Sequence, residues 1–146
     1  MVVLGAMTVD RDASSVVLLR RYVDGALEME GIDAEDVQLI TSELATNAVE
    51  HGAGDRMMLV LTGDGERVRV ELTDGGGGKP RVRAPGDEEE SGRGLMIVTA
   101  VAERWGVRRA CGGTCVWAEV VRKDRSAPGL RRILGGRRPG RRRLLG

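Results

Sequence analysis

The sequence predicts an α+β sandwich, with antiparallel strands backed by helices on one face. Three observations carry this reading. Two stretches with apolar residues at helical spacing come early in the chain, over 16–27 and 37–48. Two pairs of strand-like runs follow, one around the turn signal Gly63-Asp64-Gly65 and one around Gly112-Gly113. A glycine-rich segment and a third helical pattern separate the two pairs. The order is helix, helix, hairpin, glycine loop, helix, hairpin, and no internal repeat is visible.

The opening "MVVLGAMTVD" has a short apolar patch without a basic region before it, so no secretory signal is predicted. Val16, Leu19, Val23, Ala26 and Leu27 then form the first helical stripe, with Asp12 or Ser14 as N-cap and Gly31 beyond the end. "DAED" at 33–36 resembles a capping start, with acids where the helix dipole favours them. Val37, Ile40, Leu44 and Ala48 make the second stripe, and Gly52 is a natural stop. Residues 57–62 form an apolar run, and Val68, Val70 and Leu72 alternate with Arg67, Arg69 and Glu71 as in a half-buried strand. Residues 75–92, with Pro80 and Pro85, are too rich in glycine and charge for long regular structure. Leu95, Val98 and Val101 restore helical spacing, and "WGVRRACGGTCVWAEVV" closes with two strand-like pieces.

A chain of 146 residues with 41% apolar and 31% charged content fits one soluble globular domain with a sizeable core. No apolar run approaches the roughly 18 residues of a membrane span. Cys111 and Cys115 are expected as buried small hydrophobes, with no disulfide framework or zinc site, and the cytoplasm is the expected address. The net charge of +1 hides an asymmetry: residues 122–146 hold ten Lys/Arg and one Asp, against 13 basic and 21 acidic residues in 1–121. The sequence therefore predicts an acidic body, 1–121, carrying a basic, disordered tail, 122–146. Contact of the tail with nucleic acid, anionic lipid or an acidic partner is the alternative. The tail has no aromatic residue on which bases would stack.

"SELATNAVEHG" at 42–52 places Glu43, Asn47 and His51 at four-residue steps. At about 100° per residue from Val37, Glu43 falls about 120° away, Asn47 about 80° and His51 about 40°. The three form a diagonal along the margin of the core, where polar groups lose hydration unless something binds them. One reading is a polar helix surface with a histidine favoured by the C-terminal dipole. The other is a site: a carboxylate and an amide offer hard oxygen ligands and a base, as Mg²⁺ with a substrate triphosphate requires. His51, the only histidine, has no partner at ligand spacing and is read as structural.

"LTDGGGGKP" ends a strand on Asp74 and follows it with four glycines, usual where a backbone takes positive φ or a ligand approaches closely. Asp74 is suited to accept a hydrogen bond from an exocyclic amine such as that of adenine, or to form a simple Asx turn. "SGRGL" sets Gly92 and Gly94 before a helix, where free N–H groups bind anions. No Walker or Rossmann glycine signature occurs. Thr114 is a further polar group for such a pocket, or a plain β-branched strand residue.

Taken together, E-x-x-x-N-A-x-x-H-G at 43–52, D-x-G-x-G at 74–78, G-x-G-L at 92–95 and G-T at 113–114 resemble the GHKL ATPase superfamily. That superfamily includes DNA gyrase and the sensor histidine kinases. The resemblance spans about residues 10–121 and looks most like the compact anti-sigma-factor serine/threonine kinases. It implies a two-layer α/β sandwich of the Bergerat type, with a mixed, mostly antiparallel sheet, helices on one face, and ATP held beneath a mobile lid. By position, Glu43 would be the catalytic base and Asn47 the Mg²⁺ ligand. Asp74 would accept the adenine amine, with Thr114 beside it. Gly76, Gly78, Gly92 and Gly94 would shape the lid hinges, and the backbone from Arg93 to Leu95 would meet the phosphates.

The resemblance also implies partners: an anti-anti-sigma-like protein substrate, a sigma factor, and a second copy of the chain, since relatives commonly dimerise. A carboxylate at Glu43 and a histidine at His51 favour activation of a hydroxyl or water over transfer to a partner histidine. The chain departs from the pattern at Gly75, where many relatives carry Asn, and in the acidic run 87–90 of the lid. The alternatives are a catalytically silent nucleotide-binding module that acts by partner binding, and a nucleic-acid-associated regulator that uses the tail.

Overall fold

The computed structural model describes residues 1–75, 95–110 and 112–125. Five strands form one sheet: β1 (Val2–Asp10), β2 (Arg56–Gly63), β3 (Arg67–Asp74), β4 (Arg104–Ala110) and β5 (Gly113–Val121). Their order across the sheet is β1-β2-β3-β5-β4, and every pairing is antiparallel. Helices α1 (Ala13–Met29) and α2 (Glu35–His51) lie on one face, and residues 95–101 form a third helical segment, α3.

Each element follows from its residues. Asp12 caps α1: its carboxylate accepts the Ser15 N–H at 3.1 Å and the Ser14 hydroxyl at 2.6 Å, and these bonds lower its pKa. Gly31, at φ 68°, turns the chain out of α1. At the start of α2 the capping oxygen belongs to Asp33, which accepts the Glu35 N–H at 2.9 Å, while Glu35 and Asp36 fill the first turn. Leu19, Val23 and Leu27 from α1, and Val37, Ile40 and Leu44 from α2, are buried against Leu59, Leu61, Val68, Val70, Leu72 and Ala118 of the sheet. Each such Leu or Ile contributes about 1.5–3 kcal/mol by leaving water.

Two features depart from the sequence reading. Residues 2–10 form a full edge strand, β1, paired with β2 from Val2↔Gly63 to Asp10↔Arg56. Its pattern was obscured because most of its side chains are exposed or half-exposed and a register shift breaks it between Val3 and Gly5. Secondly, residues 122–125, placed by the sequence in the tail, are docked on the body. Arg122 N–H donates to Glu66 O, Asp33 N–H to Lys123 O and Arg125 N–H to Gly31 O, at 2.7–2.8 Å. Lys123 pairs with Asp36 and Arg125 with Asp24.

The face of the sheet away from α1 and α2 carries an ion network. Glu119, 3% exposed at its side chain, accepts from Arg69 at 3.0 Å and Arg104 at 2.8 Å. Burial pushes its carboxyl up, but the two guanidinium bonds outweigh that and hold its pKa below the ordinary value. Arg69 also stacks 4.2 Å over the Trp117 ring.

Candidate functional site

The C-terminal end of α2 meets the end of β3 and the start of β5. The stripe estimate put Asn47 on the margin of the apolar face, yet it is only 7% exposed. The reason is that α2 packs on α1 as well as on β3 and β5, so the buried arc widens to include Thr41, Ala45 and Asn47. Among the described residues no hydrogen bond holds the Asn47 carboxamide. Glu43, one turn earlier, is half-buried and likewise has no ion pair or hydrogen bond among the described residues.

Asp74 ends β3 on the helix side of the sheet, in the alternation that buries Val68, Val70 and Leu72, and is 6% exposed. Its Oδ1 accepts a long contact from the Ala53 N–H, 3.5 Å away, just past α2. Its Oδ2 lies 2.8 Å from where a Cβ on Gly52 would stand, and that Cβ would also strike the Ala48 carbonyl oxygen. The approach of Asp74 to the last turn of α2 thus requires glycine at 52. Asp74 is a buried residue whose carboxylate has one long amide contact among the described residues.

The β3–β5 crossing explains the Gly75 departure. Gly75 has φ 91°, and a Cβ there would lie 2.6 Å from the Gly112 oxygen and 2.7 Å from the Gly113 Cα. The backbone leaves no space for a side chain at this position. One step beyond the Thr73↔Cys115 pair, the antiparallel register sets Thr114 opposite Asp74, on the same face and half-buried.

The structure therefore gathers Asp74, Thr114 and the α2 turn bearing Asn47, with Glu43 one turn back along the helix. His51 Nε2 lies 3.6 Å from a Glu50 carboxylate oxygen, and its side chain is 17% exposed. Leu95 is half-buried and begins the described part of α3, where its carbonyl accepts the Thr99 hydroxyl. Gly76, Gly78, Gly92, Arg93 and Gly94 lie outside the described residues, as do residues 79–91 of the expected lid.

Sequence reasoning missed Arg11 and the close approach at Gly52. Arg11 donates from Nε to Gly54 O at 2.6 Å and from Nη1 to Val49 O at 2.9 Å and Ala48 O at 3.3 Å. Its partners stand 37 to 43 residues away, so no local pattern announces them.

For a cation, no group of three His, Cys, Asp or Glu side chains among the described residues is placed to hold one. The residues fit a Mg²⁺ that arrives with a triphosphate: the Asn47 amide oxygen is a hard donor on a buried residue, without a hydrogen bond among the described residues.

Residues 9–120 match the histidine kinase-like ATPase domain family, and the chain belongs to that family. A similar solved structure is the crystal structure of the RsbU and RsbW domains of Rv1364c from Mycobacterium tuberculosis. The likeness has a TM-score of 0.55 at 23% identity, covers 83% of this chain, and extends over 34% of that one. This chain therefore spans about a third of the length of that structure, and the likeness shows the fold. No functionally curated protein matches the chain significantly. Among the described residues, no helix is long and apolar enough to cross a membrane.

Proposed function

We propose that the chain binds Mg·ATP where α2 meets the end of β3, and that it is a serine/threonine kinase of the anti-sigma-factor type. In this reading it acts in the cytoplasm, phosphorylates a small anti-anti-sigma partner and sequesters a sigma factor. The observation that carries the reading is Asp74: a buried residue whose carboxylate has one 3.5 Å amide contact, beside the helix turn of Asn47, whose amide has no hydrogen bond, both among the described residues. An adenine amine would supply such a carboxylate with a charge-assisted donor.

The roles follow from the chemistry of each group. Asp74 accepts the exocyclic amine, and Thr114 adds a hydroxyl on the same face. Mg²⁺, when bound, neutralises charge on the phosphate oxygens, and Asn47 would offer it one oxygen. Glu43 takes the proton of the attacking hydroxyl as its oxygen bonds to the γ-phosphorus. The bond from that phosphorus to the bridging oxygen breaks, and ADP leaves with the electron pair.

The test is transfer of label from γ-labelled ATP to co-purifying proteins. Labelled serine or threonine on a partner, lost on Glu43→Ala with nucleotide binding retained, is the expected result. Transfer that persists in Glu43→Ala would mean another base. A stable complex with no label at all would instead favour the catalytically silent module.

A further inference from the structure

We propose that Arg11 is a positioning residue for the nucleotide site, which sets the last turn of α2 and the loop 52–55 against Asp74. The inference rests on the nucleotide reading above and adds a residue that no motif includes.

Arg11 sits between β1 and α1, where its position is fixed twice. Its own N–H donates to Asp55 O at 2.8 Å, and the next residue, Asp12, caps α1. From there the guanidinium crosses to the end of α2. The last four carbonyls of a helix have no partner within it. Here the Gly52 N–H takes Ala48 O at 2.9 Å, and Arg11 Nη1 takes Val49 O and shares Ala48 O. Nε meanwhile holds Gly54 O at 2.6 Å. One side chain thus ties the helix turn that follows Asn47 to the loop that presents the Ala53 N–H to Asp74. No carboxylate pairs with Arg11 among the described residues, so its described bonds all go to carbonyl oxygens.

Two physical consequences reach the site. A planar fork fixes three carbonyls in one geometry, which a lysine ammonium on a flexible stem does not reproduce. The guanidinium also sets positive charge against the negative end of the α2 dipole, beside the loop that meets Asp74. Arg11 therefore acts on nucleotide affinity through Ala53, Gly54 and the α2 turn, without touching the nucleotide.

The test uses the full chain with Arg11→Ala and Arg11→Lys, read by Mg·ATP titration calorimetry, amide hydrogen exchange and thermal melting. In Arg11→Ala, affinity is expected to fall about tenfold, as for loss of charged hydrogen bonds. Exchange at Gly52 and Ala53 is expected to rise about tenfold, while Val70 and Ala118 in the centre of the sheet keep their protection. Arg11→Lys should recover part of the affinity, and it carries the comparison if Arg11→Ala does not fold.

Unchanged exchange at Gly52 and Ala53, an equal rise across the whole sheet, or unchanged affinity would each overturn the assignment. If the parent chain binds no Mg·ATP, the nucleotide reading fails, and the exchange measurement alone decides whether Arg11 holds the loop.

Discussion

Gly52→Ala isolates the contact on which the site is built. The backbone there has φ −77° and ψ −179°, which any residue adopts, so the substitution introduces no dihedral strain. The added methyl has a steric effect only. It would stand 2.8 Å from Asp74 Oδ2 and still closer to the Ala48 carbonyl oxygen. The carboxylate is a side-chain end and can move, but the Ala48 oxygen is backbone of a packed helix. Either the end of α2 shifts or the chain leaves the helix along another path. Overpacking of this kind costs about 1–3 kcal/mol, and the backbone clash places Gly52→Ala near the middle, at about 2 kcal/mol. Urea denaturation measures the loss, and Mg·ATP affinity should fall with it because Asp74 is displaced from the Ala53 N–H. Gly25→Ala is the internal control: its methyl meets open space within α1, and stability should rise by about 0.5–1 kcal/mol. A Gly52→Ala chain with the parent's stability and affinity would refute the close approach of Asp74 to α2.

The remaining expectations concern the body that carries the site. Thr41 buries a hydroxyl with no partner among the described residues, so Thr41→Val should stabilise by about 1 kcal/mol in the same denaturation assay. Glu119→Gln weakens two guanidinium bonds and should cost about 1–3 kcal/mol at neutral pH. Because folding lowers the Glu119 pKa, its stabilisation is present above the ordinary value of 4.5 and fades as pH falls through the lower folded value. The parent should therefore lose stability below about pH 4.5 more steeply than Glu119→Gln does, as followed by circular dichroism. Finally, a chain ending at Val121 should be about 2 kcal/mol less stable than one ending at Arg125, since three backbone hydrogen bonds go with residues 122–125. Equal melting of the two truncated chains would return the domain boundary to 121.

What the sequence made legible was periodic or local. The α1 and α2 stripes, the Gly63–Gly65 turn and the β3 alternation all appear in the structure because each repeats within a few residues. The edge strand β1 was hidden because an edge buries little: Val2 and Val3 remain exposed, and the bulge before Gly5 breaks its period of two. Asn47 was legible as a marginal residue and not as a buried one. The helix angles are fixed by sequence, but the width of the arc covered by α1, β3 and β5 is a tertiary property. Asp74 was read from its place at a strand end before glycines, yet its burial against Gly52 needed two segments 22 residues apart to meet. Arg11 lay beyond sequence reasoning for the same reason. The basic run suggested a tail from 122, whereas the Asp33 N–H and Gly31 carbonyl of the α1–α2 turn, with the carboxylates of Asp24 and Asp36, hold Lys123 and Arg125 on the body.

The measurement that bears most directly on the nucleotide site is a calorimetric titration of Mg·ATP into the parent chain and into Asp74→Asn. Asparagine keeps the size of the side chain and removes its charge, so the fold is expected to survive. The account predicts saturable one-site binding to the parent, weakened in Asp74→Asn by on the order of 2 kcal/mol, roughly thirtyfold, for loss of a charge-assisted bond. Binding to Asp74→Asn as tight as to the parent, or no binding to the parent, would contradict it.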